Sequence, residues 1–278
     1  MKLLRYGPLG QERPGMIDAE GRIRDLSDHV TDFGGSTVAI SALERLHRLD
    51  PANLPLVSGQ QRIGACLADA PNFYAIGRNY AAHAAETGSD LPNEPLVFNK
   101  ATSCIAGPFD AVPLPKGSDR IDWEIELGVV IGAPTFNVSR REALSHVAGY
   151  CIVNDVSARD WQKDRGGQWV KGKSAPGFGP IGPWLVTADE VPDPQALALN
   201  LSLNGEMRQA ARTSDMVFDV AHLISYMSGF LALRPGDIIA TGTPEGVGLG
   251  AKPPRFLAKG DILRLEISGL GRQEYSVK

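Results

Sequence analysis

At 278 residues, with 28 basic against 32 acidic side chains and a net charge of −4, the chain can bury a substantial core without disulfide or metal staples. No run of Lys and Arg marks a nucleic-acid surface, and no apolar stretch has the length of a membrane span or a signal peptide, so a soluble cytoplasmic protein with neither kind of partner is expected. Cys66, Cys104 and Cys151 are odd in number and widely spaced, a pattern of buried reduced thiols rather than of a disulfide framework or zinc cluster.

Residues 1–70 read as a small accessory unit, with short strands at KLLRY and RIRDL and an amphipathic helix at SALERLHRL, where Ser41 and Glu44 have capping-box spacing. His47 on that helix is read as a packing or surface residue, as are His29 and His146, which have no acidic partner nearby in sequence. From residue 71 onward strands dominate: PLVFNK, EIELGVVIG, VAGYCIVNDVS, GPWLVT, LALNLSLNG, GDIIATG and GDILRLEIS. Asn204-Gly205 after an alternating run predicts a tight hairpin. The clearest helical period spans about 217–230, with Ser214 as its candidate N-cap. The whole is a β-rich α+β pattern, not a regular βαβ array.

Chemistry-bearing residues fall within these elements. In GRNYAAHAAE, His83 and Glu86 are three residues apart; on a short helix they share a face, and a carboxylate beside an imidazole orients it and raises its basicity. That makes a general base for water, against which stands an ordinary helix-face ion pair. In IDWEIELGVVIG the period-two projection of a strand puts Glu124 and Glu126 on one side and Trp123, Ile125 and Leu127 on the other. Two carboxylates about 5 Å apart at an effective dielectric of about 20 repel by roughly 3 kcal/mol, so their face is either wet or holds something positive. Asp155, at the end of the apolar run VAGYCIVND, would join them if that strand returns beside the first. Three carboxylates completed by water suit a hard divalent cation such as Mg²⁺, Mn²⁺ or Ca²⁺.

GQWVKGKS matches the phosphate-binding P-loop pattern. No apolar strand precedes it, however, and APGFGPIGP after it forbids the helix that would hold phosphate. Lys173 then remains as a positive charge in a glycine-rich loop, able to meet a developing oxyanion. TGTPEGVGLG reads as a second backbone-rich loop.

Taken together and in order, GRNYAAHAAE, DWEIELGVVIG, GYCIVNDVSARDWQ, KGKS and PGDIIATGTPEGVG resemble the fumarylacetoacetate hydrolase superfamily over about residues 70–278. The resemblance implies a mixed β-roll with a small N-terminal α/β domain over 1–70, a catalytic domain over 71–278 and a homodimer. It implies Glu124, Glu126 and Asp155 as ligands of Mg²⁺ or a similar ion, His83 and Glu86 as a water-activating dyad and Lys173 as a catalytic lysine. Arg159 and Gln162 match positions lining the same site, and Arg78, Lys100 and Thr243 match substrate-contacting positions. The activity so implied is metal-assisted hydrolysis of a carbon–carbon bond in a 2,4-dioxo acid. The alternatives are isomerisation or decarboxylation of a 2-oxo acid on the same metal site, or a ureidoglycolate lyase-type activity. GPWLVTADEVPDPQ is similar to a bacterial branch often labelled ureidoglycolate lyase, some of which act on 2,4-diketo-3-deoxy sugar acids such as the fuconate derivative. The chain departs from many relatives at Ala175, Pro176 and Gly177, where they carry polar residues.

Overall fold

The computed structural model, which describes residues 1–278, starts with the antiparallel strands Lys2–Tyr6 (β1), Arg13–Ile17 (β2) and Ile23–Asp25 (β3), followed by the helix Ile40–His47 (α1). Next come Phe73–Gly77 (β4), the helix Ala81–Glu86 (α2), Leu96–Lys100 (β5), Ile105–Ala106 (β6), Ile121–Asp122 (β7), Ile125–Ile131 (β8) and Val147–Asn154 (β9). Ser157–Ala158 (β10), the short helices Arg159–Lys163 (α3) and Val170–Lys173 (α4), and Gly179–Thr187 (β11) complete the middle of the chain. The last part holds Ala198–Leu203 (β12), Glu206–Arg212 (β13), the helix Val220–Ser228 (α5), Ile238–Ala240 (β14), Ile262–Ile267 (β15) and Gly271–Ser276 (β16).

Ten strands form one sheet in the order β3-β2-β1-β11-β9-β8-β14-β4-β5, with β6 beside β11. Every residue of β8 and β9 is buried, as their continuous apolar runs require of strands covered on both faces. A second sheet, β13-β12-β15-β16, alternates instead. In β15, Leu263, Leu265 and Ile267 are buried while the residues between them are exposed, and this apolar face packs on β8, β9 and β11. The strand-rich reading of the sequence matches this architecture, including the β12–β13 hairpin, where Asn204 and Gly205 take φ of 53° and 83° as a two-residue turn of this hand demands.

Residues before 71 extend the main sheet: Lys2 and Leu3 pair with Val186 and Leu185, and Leu3, Met16, Leu26 and Phe33 belong to the same apolar cluster as the buried residues of β8, β9 and β14. Two helix starts also differ from the sequence reading. α1 begins at Ile40 with Ala39 as N-cap and no side-chain cap, so Ser41 lies inside the first turn and the capping box with Glu44 does not form. The Ile40 amide instead donates to the Gly132 carbonyl at 2.9 Å, which satisfies an orphan donor of that turn. α5 is capped by Asp219, whose carboxylate accepts from the His222 amide at 2.7 Å, not by Ser214. Ser214 lies in the separate turn Thr213–Asp215, and the Tyr80–Met216 bridge and the Val217 amide on the Asn79 carbonyl hold the chain between that turn and α5. No helix is long and apolar enough to cross a membrane, and all three cysteines are buried and free.

Candidate metal centre and catalytic cleft

The β8–β9 register places the acidic residues. Ile125 pairs with Asn154 and Glu126 with Val153, and the Asp155 amide donates to the Glu124 carbonyl at 2.9 Å. Strand order is interrupted at Trp123 and Glu124, which belong to neither β7 nor β8. Even so, Ile125 and Leu127 enter the core with no exposed surface, Trp123 is buried, and Glu124 and Glu126 line a cleft. Ligand oxygens of Glu124, Glu126 and Asp155 all lie within 4.8 Å of one another.

Part of the positive charge that this cluster requires comes from the protein itself. The Lys173 ammonium sits 2.6 Å from Glu124 Oε2 and 2.5 Å from Asp155 Oδ2, Lys100 lies 2.5 Å from Asp155 Oδ1, and Arg159 reaches Glu124 Oε1 at 2.6 Å and Asp122 Oδ2 at 2.8 Å. Burial would push the Glu124 carboxyl up, but Arg159 and Lys173 outweigh it and hold this group well below the usual carboxylate range. Glu126 is different. Its only hydrogen bond comes from the Gly242 amide at 2.8 Å, and burial, with repulsion from Asp155 and Glu124, pushes its carboxyl well above the usual range.

Asp122, Glu124, Glu126 and Asp155 are thus four buried carboxylates against the three buried cations Lys100, Arg159 and Lys173. The uncompensated carboxylate is Glu126, one of the triad. An all-oxygen donor set short of one positive charge fits a hard divalent cation, and the three residues that would hold it are Glu124, Glu126 and Asp155. Glu126→Gln keeps the shape and the Gly242 contact but removes the charge. We expect affinity for Mg²⁺ or Mn²⁺, measured by calorimetric titration, to fall on the order of a hundredfold or more, since even outer-shell changes cost about 10–100-fold. Unchanged affinity would exclude Glu126 as a ligand.

β4 and α2 deliver the imidazole. His83 Nδ1 lies 2.9 Å from Glu86 Oε1, and Glu86 Oε2 accepts from the Gly246 amide at 2.9 Å, so the TGTPEGVGLG loop clamps the carboxylate that orients the ring. His83 lines the same cleft as Glu124, Glu126 and Lys173. The loop after β14 is laced along β8. The Thr241 and Thr243 hydroxyls donate to the Leu127 and Ile125 carbonyls, each at 2.9 Å, and Gly242, at φ 98°, turns its amide to Glu126.

Of the other residues singled out in the sequence, Arg78, Arg159, Gln162 and Thr243 all line this cleft. Lys100 does not: it is buried beneath Asp155, with its ammonium on that carboxylate and on the Lys173 carbonyl, a structural position rather than a substrate-facing one. Lys173 closes the short helix α4 instead of lying in an open loop. The glycine of its KGKS motif has a packing role, since a Cβ at Gly172 would come within 2.5 Å of the Ala158 carbonyl and 2.6 Å of the Gln162 amide. With its ammonium on Glu124 and Asp155 and a turn leading into β11 after it in place of a helix, Lys173 is not presented to phosphate as a P-loop lysine is.

The sequence reading passed over Asp122. This fully buried residue anchors Arg159 and accepts from the Gly248 and Leu249 amides at 2.6 and 3.0 Å. Its signal was present, because Asp122, Glu124 and Glu126 continue one alternation. Lys163 and Trp169, also on the cleft wall, carried no such signal.

Residues 72–278 match the family model described as fumarylacetoacetate (FAA) hydrolase C-terminal. A Burkholderia multivorans protein that carries only a provisional hydrolase name is 60% identical over 274 residues, covering 98% of this chain and 97% of its own. The fumarylacetoacetate hydrolase of Exiguobacterium antarcticum superimposes with a TM-score of 0.90 at 36% identity, over 100% of this chain and 99% of its own. Maleylpyruvate hydrolase from Sphingobium sp. SYK-6, solved with manganese(II) and pyruvate, gives a TM-score of 0.82 at 29% identity, over 100% and 98%.

Proposed function

The chain belongs to the fumarylacetoacetate hydrolase family, and from that premise we propose that it is a divalent-metal-dependent hydrolase cleaving a carbon–carbon bond of a 2,4-dioxo acid. The substrate is an acylpyruvate or a diketo-deoxy sugar acid, and the products are pyruvate and a second acid. One observation carries this reading: His83, backed by Glu86, opens into the same cleft as Glu124, Glu126 and Lys173. The manganese and pyruvate bound by the maleylpyruvate hydrolase neighbour support the ion and the product.

A divalent ion held by Glu124, Glu126 and Asp155 supplies, when bound, a Lewis acid for the charge that develops on the departing 2-oxo acid. The residues of the chain do the rest. Glu86 holds the His83 tautomer with the proton on Nδ1, leaving Nε2 to take a proton from water as its oxygen adds to the distal carbonyl. As the carbon–carbon bond breaks, its electron pair passes to the pyruvate methylene, which His83 then protonates. Lys173 holds a full positive charge at the floor of the cleft, because the pull of Asp155 and Glu124 outweighs burial and raises its ammonium above the usual range; there it stabilises the oxyanion of the addition step.

A panel of acylpyruvates and diketo sugar acids, assayed for pyruvate with Mg²⁺ or Mn²⁺, tests the reading. Turnover of at least one member, abolished by excess chelator and restored by added metal, is the expected result. Absence of pyruvate from every member overturns the proposal.

A further inference from the structure

We infer that Gln209, on the outer strand β13 of the second sheet, is a positioning residue: its buried amide stands in for a strand beside β8 and pins the loop after β14, so that the second sheet sets the geometry of the carboxylate triad. The inference rests on the proposed ion at Glu124, Glu126 and Asp155, and it adds what braces that site from behind.

The bracing starts where the main sheet runs out of strand. β14 pairs with β8 as far as Ala240 on Gly128, and the Thr241 amide still reaches the Leu127 carbonyl at 3.1 Å. Ile125, between Glu124 and Glu126, lies beyond that point, and its buried backbone groups on this side need other partners. Two side chains supply them. The Ile125 amide donates to Gln209 Oε1 at 3.0 Å, and the Thr243 hydroxyl donates to the Ile125 carbonyl at 2.9 Å. Gln209 Nε2 in turn donates to Thr243 Oγ1 and to the Pro244 carbonyl, each at 2.8 Å. The partners force this orientation of the amide, because the Ile125 N–H can only donate and the Pro244 carbonyl can only accept.

β13 is shaped for this one contact. Between Glu206 and Arg212, Gln209 is the single buried residue, with no exposed surface. A strand burying one side chain for packing alone would bury an apolar one. A bulge aims the amide: Leu201 pairs with Gln209 but Ser202 with Met207, so Arg208 is an extra residue, and a bulge bends its strand and redirects the side chains beside it. The bulged residue meets the same loop further on. A Cβ at Gly246 would collide with the Arg208 carbonyl, and the Gly246 amide is the one that clamps Glu86.

The loop is therefore held at Thr243 and Pro244, immediately after the Gly242 amide that fixes Glu126, and again at Gly246. Glu126 has no cation of its own, so that amide is its one fixed contact. Loosening Gln209 frees both the strand residue between the two glutamates and the loop that orients the second of them, and a ligand carboxylate free to turn holds an ion less tightly.

Calorimetric titration with Mn²⁺ in the absence of substrate tests this apart from catalysis. Gln209→Met has a similar length and no hydrogen bond to offer, and Gln209→Asn stays polar but is one carbon too short to reach Ile125 and Pro244 together. Each is expected to bind Mn²⁺ about tenfold or more weakly, and the electron paramagnetic resonance spectrum of the bound ion should spread over more than one coordination geometry. Leu263→Ala, which removes a buried apolar side chain from the same sheet, should lower the urea midpoint and leave Mn²⁺ affinity at the parent level. Parent-level affinity in either folded Gln209 variant, or an equal loss in Leu263→Ala, overturns the inference. A parent protein that binds no Mn²⁺ removes the ion on which it rests. Weakened Mn²⁺ binding in the Gln209 variants, with no pyruvate from any substrate of the parent, leaves the inference and removes the hydrolysis, whereas pyruvate from parent and Gln209→Met at equal kcat and equal Mn²⁺ affinity does the reverse.

Discussion

Replacing Asp155 by alanine is expected to cost about 3–5 kcal/mol of folding stability, seen as a lower urea midpoint at unchanged slope. Asp155 has no exposed surface and accepts the ammonium groups of Lys100 and Lys173, each at 2.5 Å. Both lysines are themselves at most 2% exposed, so neither can turn to water without dragging its strand or helix end apart. Losing the carboxylate leaves Lys100 with only carbonyl partners, those of Val156 and Lys173, and Lys173 with Glu124 alone among its close carboxylates. An uncompensated buried charge costs more than the pair contributed. Asp155→Asn keeps the shape and one good acceptor, and should fall between. An alanine variant within about 1 kcal/mol of the parent, the worth of an exposed pair, would show that the ammonium groups escape to solvent.

On the proposed reaction, His83→Ala is expected to lower kcat for pyruvate release by about 10²–10⁴-fold, the usual contribution of a positioned general base. KM and Mn²⁺ affinity should change little, because the His83 ring hydrogen-bonds to Glu86 and to no member of the carboxylate triad. Glu86→Gln should be the milder change: it keeps a hydrogen-bonding group near Nδ1 but no longer fixes which ring nitrogen carries the proton. Full turnover in His83→Ala would replace hydrolysis by a reaction on the same metal site that needs no attacking water, such as isomerisation or decarboxylation.

How much of this was legible beforehand varied with the range of the interaction. Period-two alternation in IDWEIELGVVIG was enough to put Glu124 and Glu126 on one side, and an apolar strand ending in Asp155 was enough to suggest a third acid. The structure brings those three together by one antiparallel register. Spacing within GRNYAAHAAE likewise foresaw the His83–Glu86 contact, because an i,i+3 pair needs nothing beyond its own helix. Capping failed at Ser41 and Ser214 for the converse reason: distant backbone, Gly132 in one case and Asn79 in the other, decides where those helices begin.

The sequence by itself therefore determined the strand-rich fold, the family, and that Glu124, Glu126 and Asp155 cluster and His83 meets Glu86, since these depend on local periodicity and on ordered motifs. Only the tertiary structure decided which charges meet. Lys100 was read as a substrate contact and is a buried counter-ion, and Asp122 passed unnoticed and anchors Arg159. Charge pairing depends on distance and burial, and residues tens of positions apart acquire both only when the sheet and the loops after β4 and β14 close on one another.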